Sequence, residues 1–396
     1  MANIAFGAIT NNVDTFYPYC DFLLNAQKHG HKISKLYISY TNKLDEEKVS
    51  KMKQFVDIEL LKINENDKLK RNLIDLGMEE NEVDCFIESK NLNKYGLVSY
   101  GKRRNIILTA ALLAKPKIDY LIFFDTDVKP YVLLNEKGQL KDIDFVGNHI
   151  SNLKKEDVVV TTSDYTGYYI IPTMDFKGLK DLLIGLQKEQ TYNYVKSKEN
   201  NLITEENKNK LKVKRKNKIL AGNHAIDLNK YNLLVPYYST TYYYRQELIL
   251  GRGEDLLLGQ SITELNKKIV DINTKIFHDT FKNYPEVPSL KNVDIRKKFY
   301  YACLGWIGRN TFLNWYLKNK GKIDSIEFDK YVKGLREQLV NGSYSLAKQY
   351  NAPIFKDLPE AYSVAYSQLD HMIEDYELLM KLWNKFLRLL IDREQY

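Results

Sequence analysis

The chain has 396 residues, 44% of them hydrophobic, enough for one large packed domain or for a core domain with an appended second part. A net charge of +8 is bunched rather than spread, above all in Lys208 to Lys218, and no nucleic-acid-binding motif accompanies it, so nucleic acid is not among the expected partners. Cys20, Cys85 and Cys303 are too few and too far apart for a disulfide framework or a zinc site. No apolar run reaches the roughly 20 residues of a membrane-spanning helix, and the expected compartment is the cytoplasm.

Strand-like and helix-like stretches alternate from the start. Asn3 to Thr10 reads as a strand and Val13 to Gly30 as an amphipathic helix closed by its glycine. Ile33 to Tyr40 is strand-like, Asp45 to Phe55 helical and Val56 to Ile63 strand-like again. This rhythm predicts a mostly parallel, Rossmann-like α/β sheet with right-handed crossovers. Residues 67 to 95 are polar and helical in pattern, and Gly101 to Lys115 is a clear helix with Lys102, Arg103 and Arg104 in its first turn. Cations there oppose the helix dipole, which suggests that they serve an anion; a satisfied surface cluster is the alternative.

Tyr120 to Val128 is the most informative stretch. An apolar run, Tyr120-Leu-Ile-Phe-Phe124, reads as a strand buried on both faces, and Asp125 and Asp127 stand at its carboxyl end, where open α/β sheets bind ligands. Residues i and i+2 of a strand point the same way, so both carboxylates can face one cleft and offer hard oxygen donors to Mg²⁺ or Mn²⁺. An acidic turn capping the strand is the plainer reading.

Asp157 to Thr162 is a further buried strand and Gly178 to Gln187 a helix. Residues 188 to 218 are charged and poor in core residues, the pattern of an insertion or mobile loop of the kind that covers active sites. Ile219 to Leu228 returns to the core, and five tyrosines crowd into Tyr237 to Tyr244. With Tyr165, Tyr168 and Tyr169 they form either an acceptor groove, since aromatic faces pack on sugar rings, or a buried sheet edge. Pro285 and Pro288 mark a boundary, which divides the chain into a catalytic part, 1 to 283, and a mainly helical part, 284 to 396. Within the latter, Asp370 to Arg393 is amphipathic and basic. It can dock on its own core, pair with a second subunit as in a homodimer, or lie peripherally on the inner face of an anionic membrane.

The chain lacks both a Gly-x-x-x-x-Gly-Lys-Ser/Thr loop and a Gly-x-Gly-x-x-Gly after the first strand, so kinase, ATPase and dehydrogenase signatures are missing. What it carries, in order, is Thr10-Asn11 at the first strand's end, Arg104-Asn105, Asp125-x-Asp127, Ala221-Gly-Asn223, Gly253-Glu-Asp255 and His278. In that order the motifs resemble the GT-A fold of nucleotide-sugar-dependent glycosyltransferases, closest to the inverting family 2, over residues 1 to 283. The resemblance implies a Mn²⁺ or Mg²⁺ ion ligated by Asp127, with Asp125 on the ribose or on the metal through water and His278 as a further ligand. It implies nucleotide contacts from Thr10, Asn11, Arg104 and Asn105. Gly222 and Asn223 would lie between donor and acceptor sugars, joined by His224, Tyr168 and Tyr242, and Asp255, with Glu254 beside it, would supply the catalytic base. A helix N-terminus is the structural alternative for that acidic pair. The implied partners are a UDP-sugar donor and a glycan, lipid-linked or protein acceptor. The nearest rivals are a retaining transferase of the same fold using GDP-mannose, a sugar-phosphate nucleotidyltransferase, and a non-catalytic glycan- or membrane-binding protein.

Overall fold

A computed structural model describes residues 2–89, 91–135, 137–168, 170–197, 214–216, 219–265, 268–272, 274–321 and 325–395. Its centre is an eight-stranded sheet in the order Lys214–Lys216, Lys268–Asp271, Val158–Thr162, Asn223–Asp227, Tyr120–Phe124, Ile4–Thr10, Ile33–Tyr40, Asp57–Lys62. The last four run parallel, as does the pair Val158–Thr162 with Lys268–Asp271. Asn223–Asp227 runs antiparallel to both its neighbours, and Lys214–Lys216 antiparallel to Lys268–Asp271. Helices flank this sheet, so the chain is a mixed α/β protein with a mainly parallel core and a helical C-terminal region.

Period-2 alternation explains why the central strands are apolar throughout. Phe6, Ile122 and Phe124 point to one face, where Phe22 of the helix Tyr17–Lys28 stacks on Phe124 with ring centres 3.9 Å apart. Ala5, Ile9, Leu121 and Phe123 point to the other face, against the helix Tyr100–Leu112. The chain leaves Ile4–Thr10 toward Ile33–Tyr40 and later returns on its other side as Tyr120–Phe124. That reversal of strand order opens a crevice at the strands' carboxyl ends, between Thr10 and Asp125.

The expected helical stretch 67 to 95 contains two short helices, Asp67–Asp75 and Glu80–Ile87. The expected insertion opens with a short helix, Tyr192–Ser197, whose Val195 is fully buried, and it includes the edge strand Lys214–Lys216; its residues 198–213 and 217–218 lie outside the described ones. Among the described residues no helix is long and apolar enough to cross a membrane.

The helices Val293–Asn319, Ser325–Gln349, Leu358–Ser367 and Leu369–Gln395 make up most of the C-terminal region, and they do not stand apart from the sheet. Leu382, Trp383, Phe386 and Leu390 of Leu369–Gln395 join the core on one sheet face, where the Trp383 indole donates to the Leu234 carbonyl at 2.9 Å. The apolar face for which a second subunit or a membrane surface was weighed is consumed within the molecule. On the polar side Lys385 pairs with Glu82 at 2.5 Å. The helix Val293–Asn319 packs against the strands Thr241–Tyr244 and Glu247–Leu250. It thereby walls the crevice from the far side.

Candidate active site

After Phe124 the chain turns, and the Val128 amide donates back to the Asp125 carbonyl at 3.4 Å. Asp125 and Asp127 therefore converge through a turn and not through strand alternation. Val128–Lys129 pairs antiparallel with Ile276–Asp279, with His278 opposite Val128, and the Asp279 amide donates to the Asp127 carbonyl at 3.1 Å. This register sets His278 Nε2 3.3 Å from Asp127 Oδ2. Burial disfavours an imidazolium, yet the Asp127 carboxylate overcomes it and raises the His278 pKa. Burial likewise opposes a charged Asp127, and His278 nevertheless holds that carboxyl below its ordinary value. Asp125 goes the other way: withdrawal from water raises it, Arg104 offsets this in part, and the neighbouring Asp127 adds to the rise.

The three cations that open the helix Tyr100–Leu112 fan out to three tasks. Lys102 Nζ donates to the Cys85 carbonyl at 3.1 Å and to the Glu88 carbonyl, satisfying the end of the helix Glu80–Ile87. Burial pushes its pKa down to about 8. Arg103 reaches the first strand's end, donating to the Thr10 carbonyl at 3.0 Å and to Asn11 Oδ1 at 3.1 Å. Arg104, almost wholly buried, donates to Asp125 Oδ1 at 2.8 Å and to Glu254. Burial works against the guanidinium charge, but Glu254 and Asp125 overcome it and hold the group above its usual value. The anion expected at this helix start is thus, for Arg104, a pair of the protein's own carboxylates. Arg104 thereby braces Asp125 against Glu254.

Glu254 and Asp255 open the helix Glu254–Glu264. Glu254 is buried against Arg104, whereas Asp255 is half-buried and accepts from the Ala221 amide at 3.0 Å. The next residue, Gly222, lies so close to Asp125 that a Cβ there would stand 2.5 Å from Asp125 Oδ2. The backbone of Ala221-Gly222 therefore joins Asp255 to the acidic turn. Gly253 has φ +100°, and a Cβ there would meet Arg309 Cδ at 2.6 Å. At both glycines the space a side chain would need is filled by the protein itself. Arg309 comes from the helix Val293–Asn319, and burial pushes its pKa down to about 10, partly countered by Asp255 and Glu254. Arg309 lies in a segment without a sequence motif, and nothing local points to it.

Several expected site residues are structural. Asn105 exchanges hydrogen bonds of 2.8 Å with the Tyr237 backbone and is buried. Asn223 Nδ2 donates to the Asp164 and Thr274 carbonyls, and His224 is enclosed between the Tyr237 hydroxyl, at 2.6 Å, and the Leu220 carbonyl. Neither faces the crevice. Tyr242 lies in the core beneath Gly308 and donates to the Leu304 carbonyl at 3.0 Å. Tyr168 is buried with its ring centre 5.7 Å from that of Tyr284. Of the two expected arrangements, Tyr168, Tyr237, Tyr238, Tyr242 and Tyr244 are buried as in a packed edge, while Tyr243 is exposed; Tyr169 lies outside the described residues. Tyr165 does border the site, its ring centre 4.7 Å from that of His278 and its hydroxyl accepting from the Gly222 amide.

Beneath Asn223, His149 is fully buried. Because both Asn223 amide protons are spent on carbonyls, Asn223 Oδ1 accepts from His149 Nε2, and His149 Nδ1 accepts from the Thr161 hydroxyl. Burial pushes its pKa down to about 4. Between the unfolded value near 6.5 and the folded value, the unfolded chain holds a proton that the folded chain does not, so stability falls as pH falls. Urea unfolding at pH 7 and pH 5 should show a loss at pH 5 of roughly 2 kcal/mol from this residue, and His149→Gln should flatten that difference.

The donor set fits a divalent ion held jointly with a substrate. Two ligands each about 2.1 Å from an octahedral ion lie about 3 Å apart, close to the spacing of His278 Nε2 and Asp127 Oδ2. Among the described residues no group of three or more His, Cys, Asp or Glu side chains forms a ready cage. Phosphate oxygens and water would have to complete the coordination of an ion held there. The acids Asp125, Asp127, Glu254 and Asp255 also leave the centre short of positive charge.

No known family profile matches the chain, and no curated protein does. Among solved structures, glucosyl-3-phosphoglycerate synthase from Mycobacterium tuberculosis with phosphoglyceric acid aligns over 82% of each chain at 13% identity, with a TM-score of 0.37. The same enzyme with Mn²⁺, uridine diphosphate and phosphoglyceric acid aligns over 76% of this chain and 78% of that one at 12% identity, TM-score 0.36. A further mycobacterial protein aligns over 78% and 74% at 12% identity, TM-score 0.38. Similarity of this order assigns no function.

Proposed function

We propose that the chain is a metal-dependent glycosyltransferase that moves a hexosyl or N-acetylhexosaminyl group from a nucleoside-diphosphate sugar, foremost a UDP-sugar, to an acceptor hydroxyl with inversion. The observation that carries this reading is the convergence of Asp125, Asp127 and His278 at the strand-order reversal, with Asp255 tied to the same turn through Ala221-Gly222. The order of these motifs along the chain, which resembles that of GT-A enzymes, supports it.

Asp127 and His278 would hold the ion. When bound, it supplies Lewis-acid stabilisation of the charge that develops on the departing diphosphate. Asp125, fixed by Arg104 on one oxygen, is preset for the ribose or an ion-bound water. Thr10 and Asn11, steadied by Arg103, shape the nucleotide side of the crevice. The acceptor hydroxyl needs a base as it attacks the anomeric carbon, and Asp255 takes that proton. Mounted on a helix start with its carboxylate accepting from the Ala221 and Leu256 amides, Asp255 is held in a fixed orientation.

The test is a panel of nucleotide sugars with Mn²⁺, scored for free nucleotide. At least one donor should be slowly hydrolysed. Asp255→Asn should keep UDP affinity and lose transfer by about 10²-fold or more. Hydrolysis of none of them would reject the reading, and retained configuration at the product's anomeric carbon, seen by NMR, would remove Asp255 as base.

A further inference from the structure

Beside the acidic turn lies a cavity of about 610 Å³, within the size range of small-molecule sites. It is bounded by Tyr95 and Tyr100 on one side, by Arg252 beneath, and by Lys297, Lys298 and Tyr301 of the helix Val293–Asn319 on the other. Two of its lining residues adjoin the proposed centre. Arg252 immediately precedes Gly253-Glu254-Asp255, while Lys298 Nζ donates to the Thr280 carbonyl at 3.0 Å, and the Thr280 hydroxyl lies 3.0 Å from His278 Nε2.

The charges lining the cavity do not cancel. Arg252, Lys297 and Lys298 have no carboxylate partner among the described residues. Around them stand the Tyr100 ring for Arg252 (5.9 Å), the Tyr95 ring for Lys297 (5.8 Å), and the Thr280 carbonyl with the Phe281 ring for Lys298, which also acts at longer range on the Asp127 carboxylate. Of the two acids on the wall, Glu247 is already engaged by Lys94 at 2.8 Å, which leaves Asp294 against three cations. Lys298 spends one of its three ammonium protons on Thr280, and the guanidinium of Arg252 presents a fork suited to a phosphate or carboxylate. Cations gathered in one concave site focus their field on an anion entering it.

The nucleotide side of the crevice is elsewhere, at Thr10, Asn11 and Arg103, with the Tyr100 ring covering the Arg103 guanidinium at 5.1 Å. Tyr100 thus separates that side from the cavity, and what remains for the cavity is the second substrate. We propose that it is the acceptor subsite and that the acceptor carries a phosphate or carboxylate group, bound by Arg252, Lys297 and Lys298, next to the hydroxyl that is glycosylated. The proposal rests on the glycosyltransferase reading and narrows its acceptor from any glycan, lipid-linked or protein hydroxyl to an anionic one. A free phosphorylated metabolite and a phospholipid headgroup share this chemistry.

The experiment uses matched acceptors with the full chain, Mn²⁺ and the donor found by the panel: ribose against ribose 5-phosphate, glucose against glucose 6-phosphate, and phosphatidylglycerol vesicles as the lipid arm. The anionic member of a pair, or the vesicles, should accelerate nucleotide release over the neutral member. Arg252→Ala and Lys297→Ala should each raise its KM about tenfold or more, the loss expected for one charge-assisted contact. Equal rates with neutral and anionic members, or an unmoved KM, would overturn the proposal. So would a comparable fall in UDP affinity, which would give the cations to the donor diphosphate. Calorimetric titration with inorganic phosphate separates the two levels of inference. Phosphate bound by the wild type and lost in Arg252→Ala, with no donor hydrolysed, would keep the anion site and reject the transferase.

Discussion

Asp127→Ala is expected to reduce nucleotide release from the preferred donor by about 10³-fold while leaving the fold intact or slightly stabilised. The carboxylate stands where like charges crowd: Asp125 is close enough to feel it, and among the described residues His278 is the cation it contacts, with Lys298 acting at longer range. Removing it relieves that crowding but deletes one of the two protein donors proposed for a divalent ion. With His278 alone, the ion would be held by a single protein ligand, and its affinity should fall with turnover. Nucleotide release at saturating Mn²⁺, calorimetric Mn²⁺ affinity in the presence of UDP and a thermal melt together check this. A variant that turned over normally, or one that lost activity by unfolding, would refute the assigned role.

The parts of this architecture legible in the sequence were those written in short-range pattern. The alternation of strand and helix through Ile63 follows from apolar period and glycine punctuation, and the parallel pairing of Ile4–Thr10, Ile33–Tyr40 and Asp57–Lys62 follows from that rhythm. The apolar run ending at Phe124 likewise announced a doubly buried strand. What the sequence could not supply was long-range partnership. Nothing local distinguishes Arg104, a strut between Glu254 and Asp125, from Lys102, which caps a neighbouring helix. Nor does a run of tyrosines reveal that Tyr237, Tyr238, Tyr242 and Tyr244 are interior while Tyr243 is exposed. Tyrosine is apolar enough to be buried once its hydroxyl finds a carbonyl, as Tyr242 does at Leu304.

The same reasoning explains why the C-terminal helices escaped a functional reading. Their amphipathic pattern fixes that they have a face to bury but not against what. The structure gives them two tasks. Leu369–Gln395 completes the sheet's own core, and Val293–Asn319 delivers Arg309 to Gly253 and Lys297 and Lys298 to the cavity. Both contributions reach the site from a segment without motifs of its own.

Arg104→Met should be the most destabilising single change in the centre. One buried guanidinium serves two carboxylates, and its loss strands Glu254 in an apolar setting with no replacement cation in contact. Breaking a buried pair from one side typically costs about 3–5 kcal/mol. Burial already raises the Glu254 pKa, and without Arg104 it would rise further. A folded pKa above the unfolded value means that the folded state holds the extra proton, so the variant should be most stable near the unfolded pKa of Glu and weaken as pH rises through the raised value. Its stability curve should therefore slope downward from pH 5 to pH 8 relative to wild type. Adding Glu254→Gln should recover most of the stability and remove that slope, because the stranded charge is gone, while activity stays low because Asp125 is no longer oriented. Denaturant unfolding of the two variants at both pH values decides the matter. Equal stability of Arg104→Met and wild type, or no recovery in the double variant, would show that the guanidinium does not hold the two acids in place.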